Sequence, residues 1–80
     1  MLIVPSQATG LSGIIAGNID ALIRARDMTN RQVGDAIGTT EHQVWRWRKG
    51  RVRPNDDNLA ALATVLAGGD ITALLVEEAA

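Results

Sequence analysis

Between Thr29 and Gly50 two helix starts lie so close together that the chain has little choice but to fold back on itself. Thr29 with Gln32 three residues later has the spacing of a capping box, and Val33 and Ile37 follow at i and i+4. Gly38 then offers a left-handed position that a Cβ would penalise, which stops the first helix. Thr39 or Thr40 caps a second helix, which runs through Val44 and Trp47 to about Lys49 and ends at Gly50. Gly34 sits inside the first of these helices, where glycine costs roughly 1 kcal/mol relative to alanine. A close approach of the crossing helix is the usual compensation, so Gly34 marks the packing contact.

The remainder of the chain reads as further helices around this pair. Ser12 is expected to cap a first helix from about Gly13 to Asp27, with Ile15, Ile19, Leu22 and Ile23 on one stripe, ended by Met28. Beyond the RVRPN loop, Pro54 and Asn55 introduce a fourth helix. Asp56 and Asp57 favour its dipole in the first turn, and Leu59, Leu62, Ala63 and Leu66 form its apolar face. Gly68 and Gly69 break it, Asp70 caps a short fifth helix, and Ile71, Leu74 and Leu75 repeat the i, i+3, i+4 pattern. No strand-like alternation interrupts the series. The expected architecture is all-α, five short helices, with residues 1–12 a flexible tail, residues 13–80 the folded domain and a helix-turn-helix over 29–49. Trp45 and Trp47 are the only aromatic residues, so the core must be built mainly from Ala, Val, Ile and Leu.

The net charge of −1 conceals a strong separation. All eight basic residues lie between Arg24 and Arg53, a stretch carrying +5, whereas Pro54 onward carries −5 and residues 1–23 carry −1. Such a dipole steers a polyanion toward one face. The apolar run Leu2 to Val4 stops at Pro5 without a basic flank, which argues against a membrane span or secretory signal. The chain has no cysteine and one histidine, His42, so a disulfide framework and a thiolate or histidine metal site are not expected, nor is any cofactor. A soluble cytoplasmic domain follows. An enzyme is not expected, because Ser6 and Ser12 lie in or beside the tail and His42 has no partner for activating a nucleophile.

The segments MTNRQVGDAIGTT, VWRWRKGRVRP and NLAALATVLAGGDITALL together resemble the Cro/CI-type (XRE-like) helix-turn-helix repressors, over about Ile19 to Leu75. The resemblance implies a five-helix fold that binds double-stranded operator DNA as a homodimer and regulates transcription, in phages, mobile elements or toxin–antitoxin operons. Carried over by position, it places Thr40, Glu41, His42, Gln43 and Arg46 at the major groove. The chemistry of these side chains agrees. Arg46 can bond guanine O6 and N7 bidentately, Gln43 or His42 can reach purine edges, and Glu41 can accept from cytosine N4. Asn30 stands where the family touches phosphate, and Arg31, Thr39, Lys49, Arg51 and Arg53 are expected to join it in contacts that position without specifying. Ile71, Leu74 and Leu75 are the expected dimer interface; the tail, which carries no Lys or Arg, is read as disordered or packing, with a dimer contact through Leu2, Ile3 and Val4 as the alternative.

Two departures from the family pattern stand out. Many members carry a Glu two residues before the glycine ending the recognition helix, paired with an Arg on the first helix. Here those positions hold Arg48 and Ile23, so Arg48 is expected to meet Asp20 or Asp27, or to reach DNA. Trp45 is expected to be partly exposed, lying against helix four or the loop or meeting a partner. That possibility and the acidic C-terminal third motivate a competing reading, a protein-interaction module such as an antitoxin binding a toxin, or an adaptor.

Overall fold

The computed structural model describes residues 10–77 and consists there of five α-helices without a strand: α1 Leu11–Ala25, α2 Asn30–Ile37, α3 Glu41–Arg48, α4 Asp56–Ala67 and α5 Thr72–Leu75. The apolar stripes anticipated from spacing converge on one core. Ile15, Ile19 and Ile23 of α1, Val33 of α2, Val44 and Trp47 of α3, Leu59, Leu62, Ala63 and Leu66 of α4, and Leu74 of α5 are all buried. Leu22, Met28, Ile37, Ile71 and Leu75 are partly buried against them.

The turn chemistry between α2 and α3 follows the residue types closely. Thr29 Oγ1 accepts from the Gln32 amide at 3.0 Å, and Gln32 Oε1 accepts from the Thr29 amide at 2.8 Å, so both halves of the capping box form. Gly38 closes α2 at φ 84°, and the Gly38 and Thr39 amides both donate to the Gly34 carbonyl at 2.8 Å. Thr40, rather than Thr39, caps α3 by accepting from the Gln43 amide at 3.1 Å. A Cβ on Gly34 would lie 2.8 Å from the Thr39 carbonyl oxygen. The close partner of Gly34 is therefore the backbone of the turn itself, which can approach α2 only because position 34 lacks a side chain. Thr29→Ala should cost about 1 kcal/mol by removing the α2 cap. Thermal unfolding checks this, and an unchanged melting temperature would show that the box contributes nothing.

Three boundaries differ from expectation. α1 starts at Leu11 with Gly10 as its N-cap, so Ser12 lies within the first turn and does not cap it. Glycine is an acceptable N-cap, and the earlier start places the buried Ile15 inside a regular hydrogen-bonded turn. α1 thus begins two residues earlier than expected, and Leu2, Ile3 and Val4 lie outside the described residues. At its other end α1 stops at Ala25, and Asp27 takes a left-handed conformation with φ 56°. Short polar residues tolerate that region better than most non-glycine residues, and it returns the Met28 amide to the Ile23 carbonyl at 3.1 Å.

The third difference concerns α5. Ile71 occupies its N-cap position, while Asp70 Oδ1 accepts from the Thr72 amide at 3.1 Å from one residue further out. Asn18 of α1 donates through Nδ2 to the carbonyls of Leu74 at 2.9 Å and Val76 at 3.1 Å, which ties the end of α5 to α1. Leu74 points into the core with no exposed surface. This corrects its assignment to a dimer interface: a side chain already enclosed by its own chain has no surface left for a second copy. Ile71 and Leu75 are half-buried, and Val76 is 60 % exposed.

Candidate nucleic-acid interface

Burial of Val44 and Trp47 fixes how α3 rolls on the core, and so decides which side chains it presents outward. Glu41, His42 and Arg46 are exposed and Gln43 is half-buried, with Thr40 exposed at the cap. The five residues expected at base edges therefore occupy the start of α3 and the turn after it. Arg46 makes no ion pair among the described residues, which leaves its five donors available. Thr40 commits its hydroxyl oxygen as an acceptor to the cap and retains its proton as a donor.

The expected phosphate contacts other than Asn30 lie in α2, in the turn, at the end of α3 and along the loop that follows it. Arg31 is exposed in the first turn of α2, Thr39 is half-buried in the turn, and Lys49 is exposed at the C-cap of α3. Along the following loop, exposed Arg51 and Arg53 alternate with half-buried Val52 and buried Pro54. Val52 packs on the core, so the loop is pinned from within while its two guanidinium groups face solvent. Arg51 also donates its backbone amide to the Arg46 carbonyl at 2.9 Å, continuing the α3 ladder into the loop.

Trp45 has 36 % of its surface exposed. Its ring lies nearly parallel to that of His42, at 14° with centroids 5.6 Å apart, and the Arg51 Cζ stands 5.7 Å from its centroid. Stacking and cation–π contact thus explain this aromatic within the chain, against the loop as one of the expected alternatives had it. The i, i+3 spacing of His42 and Trp45 made their contact readable from sequence, whereas the Arg51 contact depends on where the loop turns back.

Arg48 resolves the departure noted at the end of α3. Its Nε and Nη2 both reach Asp20 Oδ1 at 2.7 Å, and Nη1 donates to Asn30 Oδ1 at 2.7 Å. The partner on α1 is Asp20 rather than Asp27, so base and acid have exchanged helices relative to the common family arrangement. With 18 % of its side chain exposed, Arg48 is held inside this network instead of reaching outward. Asp20 also accepts from Arg24 Nε at 2.8 Å. Burial alone would raise the Asp20 carboxyl pKa, but the hydrogen bonds and charges of Arg48 and Arg24 outweigh it and hold the group below its ordinary value.

A depressed carboxylate stabilises the fold fully above its unfolded pKa of about 3.9, and that contribution is lost as pH falls through the lower folded value. Asp20→Asn should therefore flatten the decline of stability below about pH 4, measured by urea unfolding across the acid range. Parallel pH profiles for the two proteins would show that Asp20 carries none of the decline.

Among the described residues no group of acidic or histidine side chains is arranged to hold a metal, and no helix is long and apolar enough to cross a membrane. The family model of the Cro/C1-type HTH DNA-binding domain matches residues 18–67, more than half of the chain. No curated protein and no solved structure shows a significant match.

Proposed function

The chain belongs to the Cro/C1-type helix-turn-helix DNA-binding family, and from that premise we propose that this transcription regulator is a repressor binding a palindromic operator as a homodimer. The observation that carries the proposal is the outward surface of α3, where Glu41, His42 and Arg46 stand exposed beside Gln43, with Arg31, Lys49, Arg51 and Arg53 exposed around them. A helix of this width fits the major groove, and the surrounding cations supply sequence-independent attraction to both backbones. Thr40, Glu41, His42, Gln43 and Arg46 are assigned to base edges. Asn30, Arg31, Thr39, Lys49, Arg51 and Arg53 are assigned to phosphates.

Dimerisation is assigned to the surface that the half-buried Ile71 and Leu75 leave open, together with the exposed Val76. A second copy would add buried apolar surface to a small core, and would double the number of phosphates engaged. The cytoplasmic location and the setting in a phage, mobile element or antitoxin operon belong to the same reading.

Selection from a pool of random duplexes at about 0.1 M salt tests it, because specific contacts must then outlast screened phosphate attraction. Enrichment of an inverted repeat with half-sites about 34 Å apart is the expected result. A lone half-site would overturn the dimer, and failure of the folded protein to enrich any sequence would overturn the operator reading.

A further inference from the structure

We propose that Arg48 is a positioning residue for DNA binding, fixing the Asn30 amide so that its Nδ2 donor faces a DNA phosphate. The inference rests on the DNA-binding reading of the α2–α3 surface and adds a residue to it. A guanidinium has donors only, so the atom of Asn30 that meets Arg48 Nη1 at 2.7 Å must be the carbonyl oxygen. That contact decides the orientation of the whole amide. With Oδ1 turned inward, the two hydrogens of Nδ2 turn the other way, and among the described residues no hydrogen bond engages them.

The location of Asn30 gives this orientation a use. Asn30 borders one shallow depression together with Glu41, His42 and Trp45, so its outward side shares a surface with the first turns of α3. A phosphate is an acceptor. An asparagine free to rotate would offer it an oxygen in half of its orientations, and each such arrangement would be repelled. Fixing the amide beforehand removes those states and the entropy cost of choosing between them.

Arg48 is in turn fixed by Asp20, which takes both Nε and Nη2 and leaves Nη1 for Asn30. The sequence of contacts runs from α1 through the last residue of α3 to the first residue of α2. Exchanging acid and base between α1 and α3 therefore has a consequence beyond keeping an ion pair. A Glu at position 48 would accept from the amide, turn Nδ2 inward and present Oδ1 to the backbone of DNA.

Phosphate contact is independent of sequence, so a mixed-sequence duplex is a sufficient probe. Affinities of the full chain and of Arg48→Met, Asn30→Ala, the double variant and Asn30→Asp are measured by fluorescence anisotropy over a range of salt, with melting temperatures recorded for each. Arg48→Met should weaken binding about fivefold, the scale of one hydrogen bond, and leave the salt dependence unchanged. In the Asn30→Ala background the same change should cost nothing further. Asn30→Asp keeps an acceptor for Arg48 and should remain folded, yet bind more weakly than Asn30→Ala because it turns a carboxylate oxygen toward phosphate.

An Arg48→Met loss that persists in the Asn30→Ala background, or a salt slope lowered by about one, would identify Arg48 as a direct phosphate contact and overturn the inference alone. Should Arg48→Met fail to fold, equal affinities of Asn30→Asp and Asn30→Ala would overturn it as well. Absence of binding by the native chain to any duplex would overturn the DNA-binding reading, and this inference with it.

Discussion

Trp47→Ala is expected to remove about 3–5 kcal/mol of stability, the range for truncating a buried aromatic residue. A domain of this length has a total stability of roughly 4–12 kcal/mol at 0.05–0.15 kcal/mol per residue, so the change consumes a large part of it. The position of the ring explains the size of the effect. Trp47 is 1 % exposed, it heads the fully buried side chains by volume, and the other aromatic residue, Trp45, lies outside the core. No neighbouring side chain is large enough to fill the space, because the surrounding core is aliphatic.

Trp47→Phe should behave very differently. The indole Nε1 is buried and has no hydrogen-bond partner among the described residues, a condition that costs about 1–3 kcal/mol. Phenylalanine is smaller and leaves a cavity, but it keeps most of the ring and removes that orphan donor, so the two effects offset and its net cost should stay well below that of the alanine variant. Urea unfolding followed by far-ultraviolet circular dichroism distinguishes the two. A phenylalanine variant as unstable as the alanine variant would show that the indole nitrogen is satisfied in solution, and that ring size alone does not decide the cost.

The contrast between local and distant signals explains how much of the molecule was legible beforehand. The cap at Thr29, the cap of α3 at Thr40, one of its two candidates, and the stop at Gly38 depend on hydrogen bonds within three or four residues and formed there, and Asn55, at the expected entry to α4, caps it in the same way. The stripes on α1, α2, α3 and α4 were also readable, since helical periodicity alone decides which residues share a face. Periodicity does not say what lies opposite that face. In and beside the four-residue α5, Ile71, Leu74 and Leu75 appeared as one stripe available to a second copy, but Leu74 is wholly buried in the core of its own chain, with its carbonyl bonded to Asn18 of α1. Position 48 gave a similar result: the pairing with Asp20, 28 residues away, was among the expectations, while the bond to Asn30 was not, because it depends on α1, α2 and α3 meeting at one point.

Arg46→Ala and Arg53→Ala are expected to weaken DNA binding in different ways, although both remove one exposed guanidinium. Arg46 stands one turn into α3 beyond His42, on the side away from Val44 and Trp47, which the proposed reading places in the major groove. Its loss should cost about 1–3 kcal/mol on the preferred duplex, and little on a duplex already altered at the base pair it reads. Preference at that one position should therefore collapse while preference elsewhere survives. Arg53 lies on the loop, held outward by the packing of Val52 and Pro54, and its expected partner is a phosphate carried by every sequence alike. Arg53→Ala should weaken all duplexes by the same factor and lower the slope of log affinity against log salt by about one unit. The measurement is a matrix of the two variants against single-base-pair substitutions of a selected duplex, repeated at several salt concentrations. If both variants lose affinity uniformly, α3 binds without Arg46 reading a base, and specificity must come from Gln43, His42, Glu41 or the deformability of the DNA. If Arg53→Ala instead relaxes a single position, the loop enters a groove and the division between reading helix and positioning loop is wrong.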